Sequence, residues 1–281
     1  MTTAAAKNSA VAGKPAHLFG GGFRNLVGAG PGHAFAYEEP TMPRWFRAGV
    51  TYTTTHEAIS DFLPAPLTPI FDLPPTVTVF YGINQENRGI DGGYWPYQLF
   101  YFGVPAEYEG TRGYHGFEYV DAVGDDLTVS GDMLVAWGIY HAMNKKLARI
   151  RTHVQGNAIT ITVDRQGSRI AELSMDLGAE FPVPTESIMS SGLSQSISIR
   201  EIPSIDWTGY AERLVFTRSS EHVKRTKAWT ASNAQLHLGS LPKDPLDQLE
   251  VVDLGEPFAG QWTVGPENFR ATTVIADLLA D

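Results

Sequence analysis

The sequence predicts a mainly β protein of the α+β class, and three observations carry that expectation. Apolar, β-branched and aromatic residues recur with period two in Val77 to Tyr81, Tyr94 to Phe102, Tyr114 to Val120, Ile197 to Ile202 and Glu212 to Thr217. Ala158 to Val163 and Arg169 to Leu173 flank the polar run Asp164-Arg165-Gln166-Gly167-Ser168, with Ile159, Ile161 and Val163 on one face, which predicts a hairpin. Helical signal is sparse by comparison, and its clearest instance is short: Thr55 can cap Glu57 to Phe62, which stops before Pro64.

Residues 1 to about 40 are rich in Ala and Gly and predict a flexible arm, separate from a single domain over 41–281. The cluster Gly28-Ala29-Gly30-Pro31-Gly32 invites a dinucleotide-loop reading. That motif needs a strand before it and a long helix after it, whereas Pro31, Pro40 and Pro43 interrupt the segment where the helix would run. Val50-Thr51-Tyr52-Thr53 then predicts a strand ahead of the short helix, and Lys227-Ala228-Trp229-Thr230 opens a further strand-like segment.

Composition narrows the function classes. A chain of 281 residues with 43% hydrophobic content can bury a substantial core. With 21 basic against 31 acidic residues the net charge is -10, which argues against nucleic acid and anionic membranes as partners. Absence of cysteine excludes disulfides and thiolate chemistry. No run of about 18 apolar residues is present, and the N-terminal residues do not read as a secretory signal, so a cytoplasmic protein is expected. The eight histidines show no close pair at metal-ligand spacing, and neither a metal nor another cofactor is expected.

The stretch from Val135 to Ile150 sets Lys145 and Lys146 side by side in an otherwise apolar and aromatic run. A lysine that attacks a carbonyl must be neutral, and at a free pKa of about 10.4 only roughly one in 2,500 is neutral at pH 7. A second ammonium ~6 Å away at an effective dielectric near 20 costs ~2.8 kcal/mol, about two pKa units, whereas a pKa near 7 needs ~4.6 kcal/mol. The neighbour falls short, so desolvation must supply the rest. It must supply more if the segment is extended, because successive strand side chains point to opposite faces.

Ala136-Trp137-Gly138 through Asn144-Lys145-Lys146-Leu147-Ala148 resembles the lysine motif of the acetoacetate decarboxylase family, in which alanine-x-glycine leads to proline-lysine-lysine-leucine. The likeness extends to Tyr52, the turn Leu63-Pro64-Ala65-Pro66-Leu67, Ala228-Trp229-Thr230 and Gln235-Leu236-His237-Leu238, or roughly Arg44 to Val264. It implies an antiparallel β-barrel-like core wrapped by further sheet with a few short helices, and a homo-oligomer. It also implies that Lys145 forms a Schiff base, with Lys146 as its cationic neighbour.

This chain departs from the pattern at residues that matter for the reaction. With Tyr52 and the proline turn aligned, the family's arginine falls on Trp45, although Arg44 and Arg47 are close. Counting back from Val104-Pro105, the family's glutamate falls on Leu99, beside Gln98. The residues before the lysines are Met143-Asn144, and Ile139-Tyr140 follow the glycine. His141, Tyr140, Gln98 and Tyr97 are candidates for proton transfer or for orienting a carbonyl, with Tyr94 and Trp95 as pocket walls. The expectation is a Schiff-base lyase acting on an oxo acid or related carbonyl compound, with aldol or dehydration chemistry of the aldolase-dehydratase branch ahead of β-oxo acid decarboxylation. A non-catalytic small-ligand-binding protein on the same fold is the reading from another class.

Overall fold

The computed structural model describes residues 41–87, 96–123, 143–183, 193–270 and 272–280, together with two short paired strands, β1 (Ala16–His17) and β2 (Ala34–Phe35). From residue 41 the chain runs through β3 (Met42–Thr53), α1 (His56–Phe62), β4 (Thr68–Pro69), β5 (Thr76–Asn84), β6 (Tyr97–Tyr108), β7 (Thr111–Ala122) and β8 (Asn144–Leu147). It continues through β9 (Arg149–Gln155), β10 (Ala158–Arg165), β11 (Ser168–Phe181), β12 (Gln195–Pro203), β13 (Tyr210–Ser219) and β14 (Val223–Leu238). The small hairpin β15 (Ser240–Leu241) and β16 (Asp244–Pro245), then β17 (Asp253–Val264), α2 (Pro266–Arg270) and β18 (Thr272–Asp277), complete it.

The local expectations hold. Thr55 caps α1 by accepting from Ala58 N at 3.1 Å, and β10 and β11 form the hairpin. Its turn is tighter than the polar run suggested: Gln166 and Gly167, both at positive φ, close a two-residue loop of the kind that matches strand twist. Ile159, Ile161 and Val163 are buried on the shared face.

Fourteen strands form one mixed sheet, whose hydrogen-bonded path runs β18-β13-β12-β7-β6-β5-β3-β17-β14-β11-β10-β9. Most pairs are antiparallel, but β7 pairs in parallel with both β8 and β12. The barrel-like core expected from resemblance is thus not a closed barrel. At the gap β9 approaches β6 and β7 through side chains: Asp121 accepts from Ile150 N at 2.8 Å, and Gln98 Nε2 donates to Ile150 O at 3.1 Å and Ala122 O at 3.2 Å. A side-chain clasp stands where another ladder would have closed the cylinder.

Alternation along the central strands separates two buried clusters. One face carries Val50, Tyr52, Val77, Val79, Phe100, Phe102 and Tyr119. The other carries Trp45, Phe80, Tyr97, Leu99, Val120 and Trp262. The second face holds the site. No helix among the described residues is long and apolar enough to cross a membrane.

Candidate active site

A straight row of paired residues leads to the lysine. Gly49 of β3 pairs with Phe80 of β5, Phe80 with Tyr101 of β6, Tyr101 with Glu118 of β7, and Glu118 with Lys145 of β8. Directly opposed residues put their side chains on the same face, so the register alone brings the Lys145 amine to the Glu118 carboxylate. Lys145 Nζ donates to Glu118 Oε2, and the two side chains are 0% and 3% exposed. Phe80 and Tyr101 stack with ring centroids 4.6 Å apart. A Cβ added at Gly116 would meet the Tyr101 ring at 2.5 Å, and one at Gly103 would also strike it, so two glycines leave the slot in which this phenol lies.

Charges gather around Glu118. Burial holds the Lys145 ammonium below its ordinary lysine value; Glu118 opposes that shift, and Arg218 of β13 adds to it. Burial also lowers Arg47 and Arg218 to about 10, against the influence of Glu118, and both remain cations at neutral pH. The phenols of Tyr97 and Tyr101 are pushed up by burial and by Glu118, so both stay protonated. The Arg47 guanidinium lies 3.7 Å from the Trp45 ring centroid, 5.0 Å from that of Trp262 and 5.1 Å from that of Phe80. Its Nε is buried and meets no hydrogen-bond partner among the described residues. A buried donor left open in this way is suited to an anionic group of a ligand.

Lys146 points the other way. It donates to Asp244 Oδ1 at 2.8 Å and to Lys243 O at 2.6 Å, and Asp244 also accepts from Tyr119 OH at 2.7 Å and Arg165 Nε at 2.9 Å. The extended strand separates the two ammonium groups, so the cationic neighbour expected at Lys146 is not what lowers Lys145. Burial does so, with Arg218 second.

The other expected residues divide. Arg47, Trp45, Tyr97 and Leu99 share the face of Lys145, and Met143 packs against the same cluster. Gln98 does not share it: its amide belongs to the clasp and its Oε1 accepts from Tyr81 OH at 3.1 Å, which corrects its expected proton-transfer role. Arg44 is also displaced, to an exposed ion pair with Glu86, at an irregularity of the β3–β17 ladder where its φ is 54. His141, Tyr140, Tyr94 and Trp95 lie outside the described residues.

Sequence reasoning missed Glu118, Tyr101 and Arg218. Glu118 did leave a signal: it is an acid at the same strand parity as Gly116 and Val120, within the run Tyr114 to Val120. Spacing along one strand cannot reveal a partner supplied by the next.

Residues 31–269 match the family described as acetoacetate decarboxylase. The chain belongs to the acetoacetate decarboxylase family. No curated protein matches it. Among solved structures it is similar to an acetoacetate decarboxylase from Legionella pneumophila subsp. pneumophila str. Philadelphia 1, with 17% identity, a TM-score of 0.69, and coverage of 89% of this chain and 93% of the other. It is also similar to the enduracididine biosynthesis enzyme MppR complexed with the condensation product of pyruvate and imidazole 4-carboxaldehyde, at 17% identity, TM-score 0.58, and 84% and 88% coverage. An acetoacetate decarboxylase-like enzyme from Sphingomonas wittichii RW1 gives 14%, 0.61, and 88% and 96%. These likenesses establish the decarboxylase fold around the lysine row.

Proposed function

We propose that this acetoacetate decarboxylase family member is a lyase that forms a Schiff base between Lys145 and the carbonyl of an oxo acid. The observation that carries the reading is the solvent-excluded Lys145–Glu118 pair on a face lined by aromatic residues. Glu118 takes a proton from the ammonium, and the neutral Nζ attacks the carbonyl carbon. The proton then returns to the carbinolamine hydroxyl, which leaves as water, and the iminium forms. Arg47 seats the carboxylate, with Trp45 and Trp262 excluding water around it.

From the iminium, removal of a proton from the adjacent carbon gives an enamine that can add to an aldehyde, and loss of water from the adduct completes aldol-dehydration chemistry. A base already held at the amine favours this proton-transfer route. Tyr97 and Tyr101 are phenols that can donate as charge develops. The second reading is β-oxo acid decarboxylation, in which carbon dioxide leaves and the same electron pair enters the iminium. It is favoured by the cation and carboxylate that the strand count left missing and that Arg47 and Glu118 supply.

Borohydride reduction in the presence of pyruvate, acetoacetate and larger oxo acids, followed by intact-mass and peptide mapping, tests the reading. An adduct on Lys145 that is lost in Lys145→Ala is the expected result. The acid trapped best, and whether its turnover releases carbon dioxide or consumes an aldehyde, decides between the two reactions. Ligand binding without any adduct or turnover would overturn the enzyme reading in favour of a binding protein.

A further inference from the structure

The face that carries Lys145 continues past Arg47 onto strands that the proposed chemistry does not use. Gly82 of β5, Arg47 of β3, Gly260 of β17 and Ala228 of β14 are opposed in turn, so Arg47 has a glycine on each neighbouring strand. The next row along the same face holds Trp45, Trp262 and Arg225, paired in that order. Both glycines make room for nitrogen atoms of that row. A Cβ at Gly82 would meet Trp45 Nε1 at 2.7 Å, and one at Gly260 would meet Arg225 Nε at 2.7 Å and the Trp262 ring at 2.9 Å.

Four buried N–H groups of these two rows, Trp45 Nε1, Trp262 Nε1, Arg47 Nε and Arg225 Nε, meet no hydrogen-bond partner among the described residues. The two tryptophans are 6% and 2% exposed. Buried donors are almost always satisfied, so four open ones on one face mark a place where acceptors belong. The two guanidiniums share one indole: Arg47 lies 5.0 Å and Arg225 5.2 Å from the Trp262 ring centroid. Arg225 is anchored at its far end, where Nη2 donates to Ala259 O at 2.7 Å. Among the described residues neither guanidinium forms an ion pair, and the carboxylate nearest to Arg47 in influence, Glu118, is engaged by Lys145. In a chain of net charge -10, two cations left without acids beside one indole point to an anionic ligand.

We infer that Arg225 is a specificity-determining residue that binds a second carboxylate, so that the oxo acid is a dicarboxylic one. The inference rests on the reading of Lys145 and Arg47 given above. Arg47, which senses Glu118, seats the carboxylate nearer the carbonyl, and Arg225, one strand beyond Trp262, takes the distal one. The indole N–H groups of Trp45 and Trp262 supply donors for the remaining carboxylate oxygens. A monocarboxylic acid would leave part of this donor set empty, which is how a polar pocket rejects a ligand that lacks the matching group.

The test compares acids of equal length that carry one carboxylate or two. Titration calorimetry of the full chain with glutarate and adipate, against pentanoate and hexanoate, needs no chemistry at Lys145. The diacids are expected to bind about tenfold more tightly, and Arg225→Gln to bring them down to the affinity of the monoacids. Arg225→Lys keeps the charge without the fork and is expected to retain part of the preference. In borohydride trapping, the half-saturating concentration of 2-oxoglutarate should rise about tenfold in Arg225→Gln, with a much smaller change in the maximal rate. Equal affinity of the wild-type chain for diacids and monoacids overturns the inference, as does an Arg225→Gln chain that loses affinity for both classes alike. The wild-type comparison decides the matter if neither variant folds. The two readings fail separately. Lys145 adducts formed equally well from 2-oxoglutarate and 2-oxopentanoate would leave the lyase without the second carboxylate. A diacid preference lost in Arg225→Gln, with no adduct from any oxo acid, would leave the subsite without the lyase.

Discussion

At the scale of single residues, the proposed chemistry rests on Lys145 and Glu118. In the proposed mechanism Glu118→Gln removes the group that would take and return the proton, and the rate of adduct trapping is expected to fall on the order of 10²- to 10³-fold. For Lys145 the sign of the pH effect follows from burial: its folded pKa lies below the ordinary value, so trapping should rise with pH and level off before pH reaches about 10.4. Lys146→Met should leave that profile where it is, because its ammonium lies on the opposite face with Asp244. A profile displaced upward in Lys146→Met would return the activating role to the adjacent amine. Lys145 was legible in the doublet and its apolar surroundings, and Arg47 was legible as one of two nearby arginines. Glu118 left only its strand parity as a signal, since its pairing with Lys145 depends on which strand lies beside β8. Gln98 was misread because one residue of offset moves a side chain to the other face.

At the scale of elements, the glycines of β6 and β7 shape the site. Gly103→Ala would drive a methyl group into the Tyr101 ring, which the stack with Phe80 holds from above. The expected cost is about 1–3 kcal/mol of stability in denaturant melts, with a matching change in tyrosine fluorescence. On the opposite face, burial pushes the Asp244 carboxyl up, but hydrogen bonds from Lys146 and Tyr119 and the charges of Lys146 and Arg165 outweigh it and hold the group below its usual range. A carboxylate depressed in the folded state stabilises above its unfolded pKa, about 3.9, and loses that contribution as pH falls through the folded value. Asp244→Ala removes the acceptor shared by the partly exposed Lys146 and Arg165 and by the buried Tyr119 hydroxyl, and should cost about 1–3 kcal/mol near neutrality, a deficit that narrows in acid melts. The strands themselves were legible from period-two alternation, and α1 from its threonine cap. The parallel pairing of β7 with β8 was not, because nothing local in either segment states the direction of its neighbour.

At the scale of the whole molecule, contacts distant in sequence hold the sheet in its open form. Tyr52 OH donates to Leu249 O at 2.9 Å and joins β3 to the segment before β17, nearly two hundred residues later. Tyr52→Phe leaves that buried carbonyl without its donor, and about 1–3 kcal/mol should be lost in thermal melts. An unchanged melting temperature would mean that water takes the place of the phenol. The mainly β class was readable from the sequence and the resemblance implied a barrel-like core; the clasp that Gln98 and Asp121 form in place of a final ladder was not readable, because it depends on which strands meet at the gap.

The short strand β8 has one further consequence. Its four residues carry little apolar pattern to fix their seating, and carboxylates wait on both faces, Glu118 on one and Asp244 on the other. A slip of one position would set Lys146 against Glu118 and move Lys145 beside Phe117. The doublet therefore contains its own understudy, and any residual adduct in Lys145→Ala should map to Lys146.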